Sequence, residues 1–389
     1  MIPRRAADTL LRLSRGFPVV AITGPRQSGK TTLARALYPE KPYLSLESPD
    51  TRAFAQTDPR GFLQNLPEGA VLDEVQRCPD LFSYLQERVD REGRMGQWVL
   101  TGSQQFDLRS RITQSLAGRV GMVQLLPFSA AELSAANSQP ADLDTALYTG
   151  SWPPLFDRDI APADWYPAYV ATYLERDLHQ LIHVRDLSTF QRFLRLCAGR
   201  AGQMLNLSAL AIECGITHNT AKAWISVLEA SFILHLLRPH HRNFSKRLVK
   251  TPKLYFCDTG LACWLLGVQT PAQIALHPLR GALFENWVVS ELLKGRFNRG
   301  LPSNLFFWRD STGNEVDVLL EQGDRITPVE IKSGRTVNEE WFAGLRRWVA
   351  LAGDIAHTPF LVYGGDKEQR RSGLTVLPWT GIEAIAAVA

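Results

Sequence analysis

The sequence predicts an α/β protein of more than one domain, and three observations carry that reading. Through the first 130 residues, short runs that are apolar on consecutive positions alternate with helical stretches. That pattern suits strands buried on both faces of a parallel sheet. A glycine-rich loop stands between the first such run and a helix. In the last 120 residues, strands with alternating apolar and polar positions recur with helices, which predicts a second α/β fold with its own core. A chain of 389 residues exceeds one ordinary core, so about two to four domains are expected.

Taken in order, the first sheet draws its strands from residues 18–23, 43–46, 70–72, 98–101 and 121–126. Residues 134–154, rich in Ala, Ser, Asp and Pro and closing on Trp152-Pro153-Pro154, read as a linker or loop. Helical periodicity then runs from 164 to about 200, with Tyr169, Tyr173, Leu174, Leu178 and Leu181 as expected buried positions. Next come a helix at 207–213, a turn at Cys214-Gly215, Thr217 as an N-cap and a helix at 218–230. Strands at 233–237 and around 254–257 flank a basic loop, 238–247. A helix at 282–294 precedes strands at 305–308, 315–320 and 326–332, the last two joined by the turn Gln322-Gly323-Asp324.

Composition narrows the class. Hydrophobic residues make up 45% and charged residues 21%, the profile of a soluble globular protein. No apolar run reaches the roughly 18 residues of a membrane helix. Met1-Ile2-Pro3-Arg4-Arg5 is followed by no secretory apolar core. A cytoplasmic protein without membrane contact is expected. Cys78, Cys197, Cys214, Cys257 and Cys263 are odd in number and form no CxxC pair. Buried thiols are expected, with neither a disulfide framework nor a zinc site.

The loop Gly24-Pro25-Arg26-Gln27-Ser28-Gly29-Lys30-Thr31 fits the P-loop pattern G-x-x-x-x-G-K-[ST] in its required strand–loop–helix setting. Gly24 and Gly29 let the backbone curl its N–H groups toward phosphate oxygens, and the helix N-terminus adds partial positive charge. Lys30 is expected on the β/γ-phosphates of ATP and Thr31 on Mg²⁺, with Thr32 beside them. Some 45 residues on, a buried strand ends in Asp73-Glu74. Asp73 suits Mg²⁺, and Glu74 suits deprotonation of the attacking water. Ser103 or Thr101, at the end of the next strand, is placed to position that water. Arg119 falls just before the fifth strand.

These placements resemble the AAA+ class of ATPases, which implies a sensor residue at Ser103 and an arginine finger at Arg119, with Arg109 and Arg111 as rivals. It also implies a homo-oligomer, with a hexameric ring as one form, because the finger acts on a neighbour's nucleotide. The whole chain resembles a group of prokaryotic AAA-type ATPases with an uncharacterised C-terminal domain. The resemblance rests on GPRQSGKTT at 24–32, LDEVQRCPDLF at 72–82, LTGSQQF at 100–106, SLAGRV at 115–120 and YLERDL at 173–178. KTPKLYFCDTGL at 250–261, FEN at 284–286 and VEIKSG at 329–334 complete it.

Residues 185–253 hold eleven Lys or Arg against three Asp or Glu, an excess of 8 in a chain whose total is +4. Such a segment is an electrostatic footprint for nucleic acid. Ala211, Gly215, Ala221 and Trp224 have the spacing of a helix-turn-helix. Its second helix would present His218, Asn219 and Lys222 to DNA, and a following wing would present Arg242, Lys246 and Arg247. The alternative is a domain that only mediates packing.

Near the C-terminus, Asp317 sits on an alternating strand, and Glu330-Ile331-Lys332 lies thirteen residues on. Glu330 and Lys332, two apart on a strand, share a face. A hairpin brings Asp317 beside them, and Glu285 projects from a helix face otherwise made of Val288, Val289 and Leu292. Asp317, Glu330 and Glu285 are expected to bind Mg²⁺ or Mn²⁺, with Lys332 assisting the chemistry. This set resembles the PD-(D/E)xK nuclease superfamily, the fold of many restriction enzymes, except that Val316 replaces the motif's proline.

The expected organisation is therefore an AAA+ P-loop core at 1–133, a helical lid at 134–200, a winged helix at 201–265 and a restriction-endonuclease-like domain at 266–389. The expected function is an ATP-driven oligomer acting on DNA. The alternative is a nucleotide-dependent regulator whose later domains only bind.

Overall fold

The computed structural model describes residues 2–103, 115–158, 160–174, 187–240, 250–371 and 373–388. They form two compact units. The first comprises residues 1–128, 230–232 and 297–301, and the second 129–229, 233–296 and 302–389.

In the first unit, β1 (Val19–Thr23), β2 (Tyr43–Ser45), β3 (Ala70–Asp73), β4 (Trp98–Gly102) and β5 (Val120–Gln124) pair in the order β2-β3-β4-β1-β5. Every pair is parallel, and each corresponds to an expected strand. Consecutive apolar residues of β1 serve opposite faces. Val19 and Ala21 enter the core holding Phe82 and Trp98, whereas Val20 and Ile22 enter the core holding Leu10 and Leu33. Each fully buried Val or Ile side chain contributes roughly 1.5–3 kcal/mol, so the run tolerates no polar alternation. Parallel pairing brings the C-terminal ends of β1, β3 and β4 to one edge, where loops in such sheets bind ligands.

Among the described residues of the second unit, eight strands form one sheet. They are β6 (Leu234–Pro239), β7 (Lys253–Phe256), β8 (Leu305–Arg309), β9 (Glu315–Gln322), β10 (Arg325–Lys332), β11 (Phe360–Tyr363), β12 (Gln369–Arg371) and β13 (Leu374–Pro378). Their order is β12-β13-β11-β10-β9-β8-β6-β7. The β6–β7 hairpin is antiparallel. It joins the rest through Arg238 opposite Phe306 and Pro239 opposite Phe307. Apart from residues 230–232 and 297–301, the segments expected as lid, winged helix and nuclease-like domain fall in this unit.

The helix–turn–helix forms as its sequence signals direct. Helix Leu207–Cys214 begins at Asn206, whose side chain accepts the Ala209 N–H at 3.0 Å, and ends at Gly215 in the left-handed region (φ 68). Thr217 Oγ1 accepts the Thr220 N–H at 3.1 Å and starts helix His218–Ala230. Ala211, Ala221 and Trp224 are buried, and Trp224 lies edge-on to Phe190 and Phe193.

Helical structure occupies both ends of the stretch expected at 164–200, and residues 175–186 lie outside the described set. Helix Pro162–Tyr169 continues as a π-helical turn, Val170–Leu174, and a helix spans Leu187–Ala198. Tyr169 is buried as expected; Leu178, Leu181 and the side chains of Tyr173 and Leu174 lie outside the described set. All five cysteines are buried free thiols. Among the described residues no helix is long and apolar enough to cross a membrane.

Candidate functional site

The P-loop leaves β1 and enters helix Lys30–Leu37. Gly24 (φ 152) passes so close to β5 that a Cβ there would sit 2.1 Å from the Leu125 carbonyl oxygen. Gly29 (φ 92) turns into the helix. Lys30 is buried, and its ammonium donates to the carbonyls of Gly24 at 2.9 Å and Pro25 at 2.7 Å. Burial pulls its pKa down to about 8, against the raising pull of Glu74 and Asp73. Arg4, which the sequence reading did not single out, clamps the loop from behind. It donates to Ser28 O and Leu126 O, both at 2.7 Å, and stacks over Phe128.

The acidic pair stands opposite. Asp73, the last residue of β3, is held by three hydroxyls: Thr31 Oγ1 at 2.9 Å, Tyr43 OH at 2.7 Å and Thr101 Oγ1. Burial, with the Asp73 hydrogen bond, pushes the Tyr43 phenol up to about 12. Glu74 adopts the left-handed region (φ 53), a costly backbone for a glutamate. Its carboxylate accepts from Ser103 Oγ at 3.1 Å and from Gln76 Nε2. Thr101 and Ser103, expected as alternatives for positioning water, each bond to one of the two acids. Gly24, Gly29, Lys30, Thr31, Asp73 and Glu74 thus converge at one sheet edge. The glycine cradle, the buried ammonium and the Thr31–Asp73 oxygen pair fit a nucleotide triphosphate with Mg²⁺. Thr32 follows Thr31 in the first turn of the helix.

Arg119 lies elsewhere. Val19 pairs with Val120, so Arg119 stands at the start of β5, about five residues or ~16 Å along the sheet from its own P-loop. It forms an ion pair with Asp90 and also donates to Ala117 O at 2.9 Å. The Arg119 guanidinium, hydrogen-bonded to Asp90, holds that carboxyl below its usual range. Arg109 and Arg111 lie outside the described residues.

In the second unit, the C-terminal constellation assembles. Val318 opposite Val329 sets the register that brings Asp317 beside Glu330. Asp317 Oδ2 accepts the Ile331 N–H at 2.8 Å and lies 3.7 Å from Lys332 Nζ. Lys332 also bonds Glu330 Oε1. Glu330 Oε2 is buried and has no hydrogen-bond partner among the described residues. Burial and the Asp317 charge push the Glu330 pKa up to about 8. Burial opposes charge on Lys332, yet Asp317 and Glu330 hold its pKa above the usual lysine range.

One member of the expected metal set has protein partners of its own. Glu285 Oε1 is taken by Lys253 Nζ at 2.8 Å and by Tyr255 OH. Among the described residues, no three His, Cys, Asp or Glu side chains are grouped to hold an ion. β7 carries Lys253 and Tyr255 to Glu285. The sequence reading missed both, although their alternation on one strand placed them on a common face.

On helix His218–Ala230, His218, Asn219 and Lys222 are exposed as expected. His218 and Lys222 border an open groove of about 740 Å³ with Ser226, Arg238 and Pro252. Arg242, Lys246 and Arg247 lie outside the described residues.

Comparison with known proteins bears on each part. A family model described as an AAA domain matches residues 16–134. Two domains of unknown function, DUF8612 and DUF4143, match residues 140–272 and 280–382. The uncharacterized protein Rv2008c of Mycobacterium tuberculosis is 32% identical over 340 residues, covering 86% of this chain and 75% of that protein. Mb2031c of Mycobacterium bovis matches equally. Among solved structures, the Walker-type ATPase PABY2304 of Pyrococcus abyssi is similar at 16% identity and TM-score 0.45, over 68% of this chain and 96% of that one. RuvB of Thermotoga maritima is similar at 18% identity and TM-score 0.31, over 59% and 87%. At the identity and coverage of the mycobacterial relatives, the chain belongs to their family, and its first unit is an AAA-type P-loop domain.

Proposed function

We propose that this protein binds and hydrolyses ATP at its P-loop, works as a homo-oligomer and acts on DNA through its second unit. One observation carries the hydrolytic reading: at one sheet edge Thr31 bonds Asp73, Ser103 bonds Glu74, and the buried Lys30 ammonium feels the charge of both acids. Thr31 and Asp73 would hold Mg²⁺, which when bound would neutralise charge on the phosphates. Lys30 exchanges its bonds to Gly24 and Pro25 for the phosphate charge. Glu74, oriented by Ser103, takes the proton of the attacking water. Arg119 lies too far along β5 to serve its own nucleotide, so its role as a finger requires a neighbouring copy.

The DNA reading rests on the exposed His218, Asn219 and Lys222 of a capped second helix, within the most basic stretch of the chain. The test is ATP turnover with and without duplex, single-stranded and branched DNA. Several-fold stimulation supports coupling; a slow rate indifferent to all DNA favours the regulator. The convergence of Asp317, Glu330 and Lys332 favours a second reading, a nuclease-like site within the same unit. It is tested by strand scission with Mg²⁺ or Mn²⁺ by the native protein against Asp317→Ala. Equal cutting by both, or none by either, leaves a fold that binds without cleaving.

A further inference from the structure

We propose that Lys253 is a resident cation of the carboxylate cluster, holding the place that a divalent metal takes in a nuclease-like site and closing that place to metal. The inference rests on the nuclease-like reading only for what that place would otherwise hold.

Four carboxylates gather here: Glu285 from helix Arg280–Asn298, Glu315 and Asp317 from β9, and Glu330 from β10. Three fixed cations meet them. Lys253 reaches Glu285 at 2.8 Å and also pairs with Glu315. Arg309 reaches Glu315 at 3.0 Å. Lys332 serves Asp317 and Glu330. Each carboxylate therefore has a protein cation within ion-pair reach. Lys253 is the enclosed one, its side chain only 4% exposed, against 33% for Lys332. Its ammonium lies 5.5 Å from the Phe307 ring, a stabilising arrangement for a cation shielded from water. Tyr255, two residues along β7, donates to the same Glu285 oxygen and fixes it toward Lys253. A Cβ on Gly202 would lie 3.6 Å from the other oxygen, Oε2, so the chain packs against that side as well.

A metal entering here must displace an ammonium that has already surrendered its water. An ammonium supplies positive charge and donors, but it carries no bound water of lowered pKa. Lys253 comes from the β6–β7 hairpin that follows the helix–turn–helix.

The experiment is a Mn²⁺ titration, by calorimetry or electron paramagnetic resonance, on the full chain without nucleotide. Native protein and Asp317→Asn are expected to bind the same number of Mn²⁺ ions. Lys253→Met is expected to bind one more per chain, at least tenfold tighter than anything the native cluster shows. Adding Asp317→Asn should remove that ion. Mn²⁺ should also raise the Tm of Lys253→Met more than that of native protein, since a ligand of the folded state stabilises it. Native protein binding one ion more than Asp317→Asn overturns the proposal without any Lys253 variant. Folded Lys253→Met that gains no ion overturns it too. Strand scission is read separately. Lys253→Met that gains the ion but does not cut upholds the resident cation and counts against the nuclease. Native protein that binds the extra ion and cuts does the reverse.

Discussion

Thr31 Oγ1 donates to Asp73 Oδ1 across 2.9 Å, joining the end of the P-loop to the tip of β3. If this pair faces Mg²⁺, Thr31→Ala should weaken binding of ATP with Mg²⁺ more than binding of ATP in chelator. A hydrogen bond to a charged group is worth about 1.5–3 kcal/mol, or roughly 10- to 100-fold. Calorimetry in both conditions decides it. An equal loss in each would place Thr31 outside the metal's reach.

Glu74 and Ser103 should separate in kinetics. Glu74→Gln keeps the side chain's volume but removes the base, so ATP should still bind while turnover falls by about 10²–10⁴. Ser103→Ala removes only the hydroxyl that holds Glu74, so kcat should fall by about tenfold, the worth of one hydrogen bond. Single-turnover assays distinguish the two. A Ser103→Ala as inactive as Glu74→Gln would put Ser103 on the water itself.

Lys30 gives a pH prediction with a definite sign. Its pKa in the nucleotide-free protein, about 8, lies below the ordinary 10.5. Charging the buried lysine therefore opposes folding below pH 8, and that cost disappears as pH rises through 8 to 10.5. ATP supplies the partner that favours the charged form. Binding above pH 8 should then take up a proton, and affinity should fall between pH 7.5 and 9. Calorimetry in buffers of different ionisation enthalpy measures the uptake. Lys30→Arg, which stays charged, should show none, and uptake unchanged in that variant would assign the proton to another group.

Arg119 is held by Asp90 at the far end of β5 from its own P-loop. Arg119→Ala should lower turnover while leaving ATP affinity unchanged. Mixing it with Lys30→Ala subunits should restore part of the activity, because each supplies what the other lacks. Asp90→Ala should leave turnover at or above the native rate, since it frees the guanidinium. Equal, small losses in both single variants, with no recovery on mixing, would make the pair a surface ion pair of little consequence.

The sequence by itself determined what depends on neighbours along the chain. The spacing of Gly24, Gly29, Lys30 and Thr31 is a local requirement of a backbone curled around phosphate. Residues 18–23 had to be a doubly buried strand because no polar position interrupts Val19–Thr23. Asn206, Gly215 and Thr217 are capping residues whose partners lie three or four positions away, so both helices of the turn were legible. The period-two pattern around Asp317 and Glu330 likewise foretold their meeting, because one short turn fixes the register between them.

Tertiary structure decided the pairings that cross long loops. Arg4 finds Leu126, 122 residues away, and Lys253 finds Glu285, 32 residues away. Nothing in the periodicity of either segment names the other. Arg238 and Pro239 pair with β8, a contact whose only sequence sign is an unremarkable strand end. The partners of Glu285 were hidden for the same reason. A strand pattern shows that Lys253 and Tyr255 share a face, but only packing decides which carboxylates that face meets.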